Sequence, residues 1–532
     1  MSSGGRFKLG RRSFIRLTAT GAAGLYVAGG CTGEPVERVQ ALVIGSGFGG
    51  SIAALRLAEA GVSVTVLERG RRWEITPQHD TFCSMISPSP DGRCAWMHDK
   101  PVIPGVPTVR FRGEYGAPYV GLLQRLAGPT IDVVCAAGVG GGSLVYSGIM
   151  IQPPRGPFES VFPSEVSYDE MDTIYYPRVA AIMRPAAMPD DVYEAPQYAS
   201  SRAFVRDAEL AGMDVERNAI ALDWDLVRAE LSGEVPAQVI KGEYLYGLNS
   251  GAKHSVDRGY LAMAEATGNV TVRPLHQVQA IAEDPEGGYR TTVERIDEHG
   301  EVLETLTIKS DLLFVAAGSM NTTKLLLRAR RDGGLPNLDE RVGEAWGNNG
   351  LRIKVRSGVP DVTAMPQGGP ACIFVHDHEN EHGPIGMEFG AAPVGLEGYL
   401  IHGTQGVPDR LGRLVLNDQD EVEPDWDVSN DTSAELGAMN AMERIVAAGG
   451  GEIGSLPGLG ESITFHPLGG ATMGVVTDTY GRVTGHPGLY VVDSAIVPGA
   501  TPAGNPFWTI AALAERCLEK IVAEDLNPPS DP

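Results

Sequence analysis

A doubly wound parallel α/β sheet, into which an α+β domain built on an antiparallel sheet is inserted, is the fold class this sequence predicts, on three observations. A glycine-rich turn, Gly45-Ser46-Gly47-Phe48-Gly49-Gly50, separates an apolar run from an alanine-rich amphipathic one. A second apolar run, VSVTVLE, ends on Glu68, and short alternating segments fill 350–460. Parallel strands buried on both faces read as apolar runs, whereas antiparallel strands with one solvated face alternate.

Residues 39–44 are predicted to form the first buried strand. Gly45, Gly47 and Gly50 have the GxGxxG spacing that turns the chain sharply, admits a pyrophosphate and packs helix on strand. Phe48 and Gly49 open the following helix, 48–60, whose N-terminus points at the phosphates. Glu68, at the tip of the second strand, is placed to accept hydrogen bonds from adenosine ribose hydroxyls. Strand, glycines, helix, strand and acid in register make this a Rossmann-like dinucleotide cradle.

After an irregular stretch, 71–130, the run 131–135 leads into a second cluster, Gly138 to Ser143, in which Gly141 and Gly142 allow backbone to approach a flat ligand. A strand at 270–272 precedes an alternating hairpin, and a buried strand at 312–315 returns to the cofactor through Ala316-Ala317-Gly318-Ser319. Helix 321–330 comes next, with Asn321 and Thr322 as capping candidates. A further strand, 488–493, brings Asp493 to the same edge. Asn505 is the expected N-cap of the last helix and Pro506 its first residue, followed by Phe507.

Bulk properties narrow the function. Apolar residues at 43% and charged residues at 21% are ordinary globular values. A net charge of -24 without a long basic stripe repels phosphate backbones, so nucleic acid is not an expected partner. Residues 1–33 read as an export leader: Arg11-Arg12-Ser13-Phe14-Ile15-Arg16 matches the twin-arginine pattern, a small-residue apolar stretch follows, and no acid precedes Glu34. That route carries folded proteins, which suits one that captures its cofactor in the cytoplasm. Cys31 ends the leader at a loose lipoprotein-like site, so secretion and a lipid anchor both stay open. Cys83 and Cys94 are a candidate disulfide in an oxidising compartment. Cys135, Cys372 and Cys517 read as buried small hydrophobes. The stretch His376, Asp377, His378, Glu379, Glu381 and His382 offers nitrogen and oxygen ligands but reads as a solvated hairpin tip, and no metal is expected.

Single residues are ambiguous. His466, in FHPLGG, is either a core residue or an acid–base group, and Asn505 taken alone needs no role beyond capping. Eight motifs in order remove the ambiguity: GSGFGG (45–50), GVGGGSLV (138–145), LHQV (275–278), AAGS (316–319), WGNNG (346–350), FHPLGG (465–470), DSAIVPG (493–499) and NPFWTI (505–510). With these the chain resembles the glucose-methanol-choline (GMC) oxidoreductases, and within them the bacterial cholesterol oxidases that hold FAD non-covalently. The resemblance spans roughly 38–523.

It implies a discontinuous FAD-binding domain over about 38–75, 131–155, 265–350 and 461–525. A steroid-binding domain is implied over about 76–130, 156–264 and 351–460. Carried over by position, His466 orients the substrate hydroxyl and Asn505 assists the flavin. Glu388, in GMEFG, resembles the family's mobile catalytic glutamate; among apolar neighbours its pKa should rise toward that of a general base. The competing reading of Glu388 is a strand glutamate facing water. Val278, Gly318 and Asp493 join the cofactor contacts. Tyr146 stands where the family motif carries asparagine, so contacts there are expected to differ.

The activity implied is FAD-dependent oxidation of a sterol 3β-hydroxyl with O2 to a 3-ketosteroid and H2O2, coupled to Δ5 to Δ4 isomerisation. The alternatives are an FAD-dependent dehydrogenase of another hydrophobic or sugar alcohol using a quinone-type acceptor, and a non-catalytic exported steroid-binding flavoprotein. A monomer is expected, with transient membrane contact through apolar loops between Glu74 and Tyr119.

Overall fold

The computed structural model describes residues 36–85, 94–97, 118–363, 365–391, 397–454 and 463–526. The leader, Cys31 and most of the loop stretch expected to meet membranes lie outside them.

Five parallel strands form the centre of the first sheet, in the order Val270–Arg273, Val64–Leu67, Val36–Ile44, Val302–Val315 and Leu489–Val491. Their inner residues are buried on both faces, as for 41–44, 64–67 and 489–491, which is why they read as unbroken apolar runs. The register aligns their carboxyl ends: Ile44 pairs with Leu67 and Val315, and Val491 with Val315. Gly45, Glu68, Ala316 and Val492 therefore leave the sheet along one edge, where open α/β sheets bind ligands. The expected hairpin is present as Tyr289–Ile296 and Val302–Val315, whose second strand runs without a break into the buried strand, and His276–Glu283 pairs antiparallel with Tyr289–Ile296 on its other side.

Two helix starts differ from expectation. The helix after Val315 is Gly318–Arg331, so Asn321 and Thr322 are its fourth and fifth residues and neither stands at the cap position, although Thr322 Oγ1 accepts from the Ala317 amide (3.0 Å). Its N-terminus is satisfied from elsewhere in the chain: Asp493 Oδ2 accepts from the Gly318 amide (2.7 Å) and from Thr322 Oγ1 (2.6 Å), and Ser494 Oγ accepts from the Ser319 amide (2.8 Å). Likewise the last helix is Phe507–Ile521, with Pro506 at the N-cap position and no side-chain cap.

The second sheet is antiparallel throughout, in the order Glu452–Gly454, Arg352–Ser357, Leu400–Gln405, Ile385–Gly390, Ile373–Asp377 and Asp214–Arg217. The expectation of strands throughout 350–460 fails at Thr432–Gly449, an 18-residue helix. It buries Ala434, Ala438, Ala441, Met442 and Ile445, the spacing of one helical face. The histidine-rich segment is the turn between Ile373–Asp377 and Ile385–Gly390; there Arg444 holds Asp377 (2.9 Å) and His376 Nε2 meets Glu216 (2.9 Å). Cys372 and Cys517 are buried, Cys135 is half-buried, and Cys83 and Cys94 belong to one apolar cluster.

Candidate active site

A cavity of about 660 Å³ runs along the carboxyl edge of the parallel sheet. At its centre two glycine turns meet. A Cβ on Gly45 (φ +97°) would lie 2.2 Å from the Ala316 carbonyl oxygen, and one on Gly50 would lie 2.0 Å from the Gly45 oxygen. Gly47 is the open position, its closest neighbour being Gly141 Cα at 4.0 Å, while a Cβ on Gly141 would reach within 2.7 Å of Gly47 Cα. Bare backbone on both sides is what a pyrophosphate needs, and the Gly47 turn opens helix Phe48–Glu59. These residues fit a bound dinucleotide.

Glu68 lines the same cavity. Its Oε2 accepts from the Ser46 amide (3.2 Å) and hydroxyl (2.7 Å), and its Oε1 from the Gly70 (2.9 Å) and Gly138 (3.2 Å) amides, so it ties the two glycine turns together. Ser46 Oγ has a second acceptor in the Gly138 carbonyl (3.4 Å), which frees a carboxylate lone pair for a ribose hydroxyl. Phe48, Gly49, Gly142, Val278, Gly318, Pro506 and Phe507 also line the cavity. Gly50, Gly138 and Ser143 do not. Gly50 packs helix on strand, and Ser143 braces its turn by donating to the Gly140 carbonyl (2.7 Å) and accepting from the Val256 amide (2.9 Å). Asp493 reaches the cavity wall, yet its carboxylate is spent on the helix start described above. Tyr146 packs edge-on against Phe507 (4.6 Å between ring centres) and Phe48 (5.7 Å) and donates its hydroxyl to the His254 carbonyl.

The other end of the cavity collects His466, Asn505 and Glu388 from three elements. His466 follows the short strand Ile463–Thr464, which pairs in parallel with the strand leading into the second glycine cluster. Its amide donates to Thr464 Oγ1 (2.9 Å). Its Nδ1 lies 3.4 Å from Asn349 Nδ2. The Asn349 amide is oriented by the Thr501 amide, which donates to its Oδ1 (2.8 Å), and by the Gly504 carbonyl, which accepts from its Nδ2 (2.9 Å). A donor facing Nδ1 assigns the imidazole proton to Nε2. Burial pushes the His466 pKa down to about 4, so the ring is neutral near pH 7.

Asn505 is buried, but its amide does not cap the last helix. Nδ2 donates to Glu388 Oε2 (3.3 Å), and Oδ1 has no hydrogen-bond partner among the described residues. Glu388, on Ile385–Gly390, points into the cavity and not to bulk water. Its neighbour across the sheet is Gly403, whose missing side chain makes room: a Cβ there would lie 3.0 Å from Glu388 Oε1. Burial raises the Glu388 pKa to about 7, opposed by the amides of Asn505 and Gln405. Asn349, Gly403 and Tyr244, which shares the cavity wall with Glu388, were not singled out from sequence. Only Asn349 carried a signal, as the second asparagine of WGNNG, and it adopts φ +62°.

Comparisons with known proteins bear on the fold and the cofactor. Residues 409–514 match the GMC oxidoreductase family, and residues 43–73 match an NAD(P)-binding Rossmann-like domain. A cholesterol oxidase of Mycobacterium tuberculosis is 25% identical, covering 89% of each chain. One of Acinetobacter baumannii is 24% identical over 91% of this chain and 94% of its own. Pyridoxine 4-oxidase from Mesorbium loti shares the fold at a TM-score of 0.62 and 17% identity, over 91% of this chain and 99% of that one. The chain thus resembles the GMC oxidoreductases, and among them the cholesterol oxidases, with FAD as its cofactor and an alcohol as its class of substrate.

Proposed function

We propose that the protein oxidises the 3β-hydroxyl of a sterol to the 3-ketone with O2, releasing H2O2, and then shifts the Δ5 double bond to Δ4. The observation that carries the reading is Glu388, a carboxyl with its pKa raised to about 7 by burial, facing the cavity 3.3 Å from Asn505. Alcohol oxidation alone asks a base only to accept the hydroxyl proton, and gives it no proton to return. Isomerisation does, because a base must take a proton from C4 and return it at C6, and a pKa near neutrality suits both transfers.

FAD, when bound, supplies the two-electron chemistry, taking hydride from the carbinol carbon and passing the electrons to O2. The chain positions and moves protons. Neutral His466 would donate a hydrogen bond from Nε2–H to the substrate oxygen and fix the hydroxyl, whose own proton is released as the ketone forms and ends, with the hydride, in H2O2. Leu245, Leu351, Ile353, Ile401 and Phe465 give this end apolar walls suited to a fused-ring hydrocarbon and exclude water from Glu388. The relatives named cholesterol oxidase support the same substrate class. We extend the reading to export by the twin-arginine route, on the leader motif at 11–16.

Purified holoenzyme given cholesterol is expected to yield the conjugated enone and one H2O2 per sterol oxidised. Glu388→Gln should still consume sterol and form H2O2 while the unconjugated ketone accumulates. Reduction of a quinone-type dye without H2O2 would replace the oxidase reading with a dehydrogenase, and an unchanged product ratio in Glu388→Gln would remove the carboxylate from its role.

A further inference from the structure

We propose that Asp431 is a positioning residue for His466 and acts on it through Asn348, although neither Asp431 nor Asn348 lines the cavity. The inference rests on the reading that His466 meets the hydroxyl of the substrate.

Aspartate is a favoured N-cap, and Asp431 stands at the N-cap of helix Thr432–Gly449. Yet its side chain accepts from none of that helix's amides; Asp409 Oδ2 takes the Ser433 amide in its place (2.8 Å). Fully buried, Asp431 turns instead to the loop ahead of strand Arg352–Ser357. Its Oδ2 accepts from Asn348 Nδ2 (2.7 Å). Its Oδ1 lies 2.5 Å from Arg352 Nη2, an ion pair rather than an aligned hydrogen bond, and Glu435 accepts from Arg352 Nε on the far side (2.8 Å). A carboxylate removed from water needs such partners. It also dictates how the Asn348 amide stands: a carboxylate only accepts, so it draws Nδ2 and repels Oδ1.

Asn348, itself buried, holds His466 from two sides. Its Oδ1 accepts from the Gly350 amide (2.9 Å), which braces a turn whose residues Asn349 and Gly350 both take left-handed φ (+62° and +58°). That conformation is easy for glycine and uncommon for a residue with a side chain, so the turn needs its brace. It directs Asn349 Nδ2 to 3.4 Å from His466 Nδ1. On the other side the Asn348 carbonyl accepts from Thr464 Oγ1 (3.1 Å), which in turn accepts from the His466 amide (2.9 Å). The backbone of the histidine and the neighbour of its ring therefore share one anchor. An inverted Asn348 amide would set Nδ2 against the Gly350 N–H, donor against donor, and release the turn. The negative charge of Asp431 forbids that inversion.

The test is a double-mutant cycle read on the rate of flavin reduction, with holoenzyme mixed anaerobically with cholesterol in stopped flow. Asp431→Asn keeps the volume, but its amide donates as well as accepts, so the lock on Asn348 is lost. Flavin reduction should slow about fivefold, with FAD content and the half-saturating sterol concentration unchanged. Asp431→Ala, which leaves Asn348 Nδ2 unpaired, should slow it about tenfold. In a His466→Gln background either change should add less than about twofold, because the group through which Asp431 acts is gone. Asp207→Asn is the control: that carboxylate is equally buried and holds Arg356 (2.7 Å) but shares no hydrogen bond with the turn, so its loss should lower the melting temperature and leave reduction unchanged. Wild-type rates in Asp431→Asn, an Asp431 effect of full size in the His466→Gln background, or equal slowing in Asp207→Asn would each overturn the proposal. Failure of the sterol reading shows separately, as wild-type flavin that cholesterol does not bleach; the cycle then runs with an alcohol that does bleach it. Flavin bleached by no alcohol overturns both.

Discussion

Replacing Glu388 with glutamine should stabilise the protein at pH 8 and do much less at pH 5. In the native state the carboxyl titrates near pH 7, against about 4.5 in an unfolded chain. Native protein therefore binds more protons than unfolded protein between those values, and stability falls as pH rises through that window. Above pH 7 the full cost applies: about 2.5 pH units at about 1.36 kcal/mol each, or about 3 kcal/mol. At pH 5 the same reasoning leaves under about 1 kcal/mol. Glutamine keeps the volume and still accepts from Asn505 Nδ2, so removal of the charge is the main change. With an unfolding entropy of about 2.1 cal/mol/K per residue, a chain of 532 residues gains about 1 °C per kcal/mol. Thermal unfolding of the holoenzyme followed by circular dichroism should show Glu388→Gln melting about 3 °C above wild type at pH 8 and within about 1 °C of it at pH 5. Equal shifts at both pH values, or none at pH 8, would refute a buried, proton-poised carboxyl.

Two further outcomes follow from the geometry. Asn349→Leu removes the donor that fixes the His466 tautomer and leaves the Thr501 amide unpaired; kcat for alcohol oxidation should fall about tenfold with FAD content unchanged, and normal turnover would contradict the assigned tautomer. Gly141→Ala places a methyl within 2.7 Å of Gly47 Cα at a left-handed φ, so the variant should purify largely without flavin, as read from the ratio of flavin to protein absorbance.

The parallel half of the fold was legible because its strands are buried on both faces and its first glycines keep the spacing of a strand–turn–helix crossing, Gly50 packing on the Gly45 carbonyl five residues earlier. The starts of two later helices were not. Gly318 is capped by Asp493, 175 positions later, and no local pattern reports that. Asn505 and Pro506 looked like a cap and a first residue because those types favour such places, but Asn505 spends its amide on Glu388. Helix Thr432–Gly449 was obscured by the alternating segments before it, although its alanines repeat at helical spacing. Among the site residues, His466 and Asn505 stood in motifs, whereas Glu388 rested on resemblance and Gly403 carried no signal, since its purpose appears only when two strands are paired.

His466 follows a strand of the small three-stranded sheet and Asn505 precedes the last helix, whereas Glu388 sits on a strand of the antiparallel sheet. On the proposed function, redox capacity and bond migration have separate scaffolds, and each can change in evolution without dismantling its partner. On that reading, loss of one carboxylate would leave alcohol oxidation without isomerisation, while resurfacing strands Ile385–Gly390 and Leu400–Gln405 would retune which alcohol enters. Such an architecture favours diversification of substrate range around a fixed electron-handling centre.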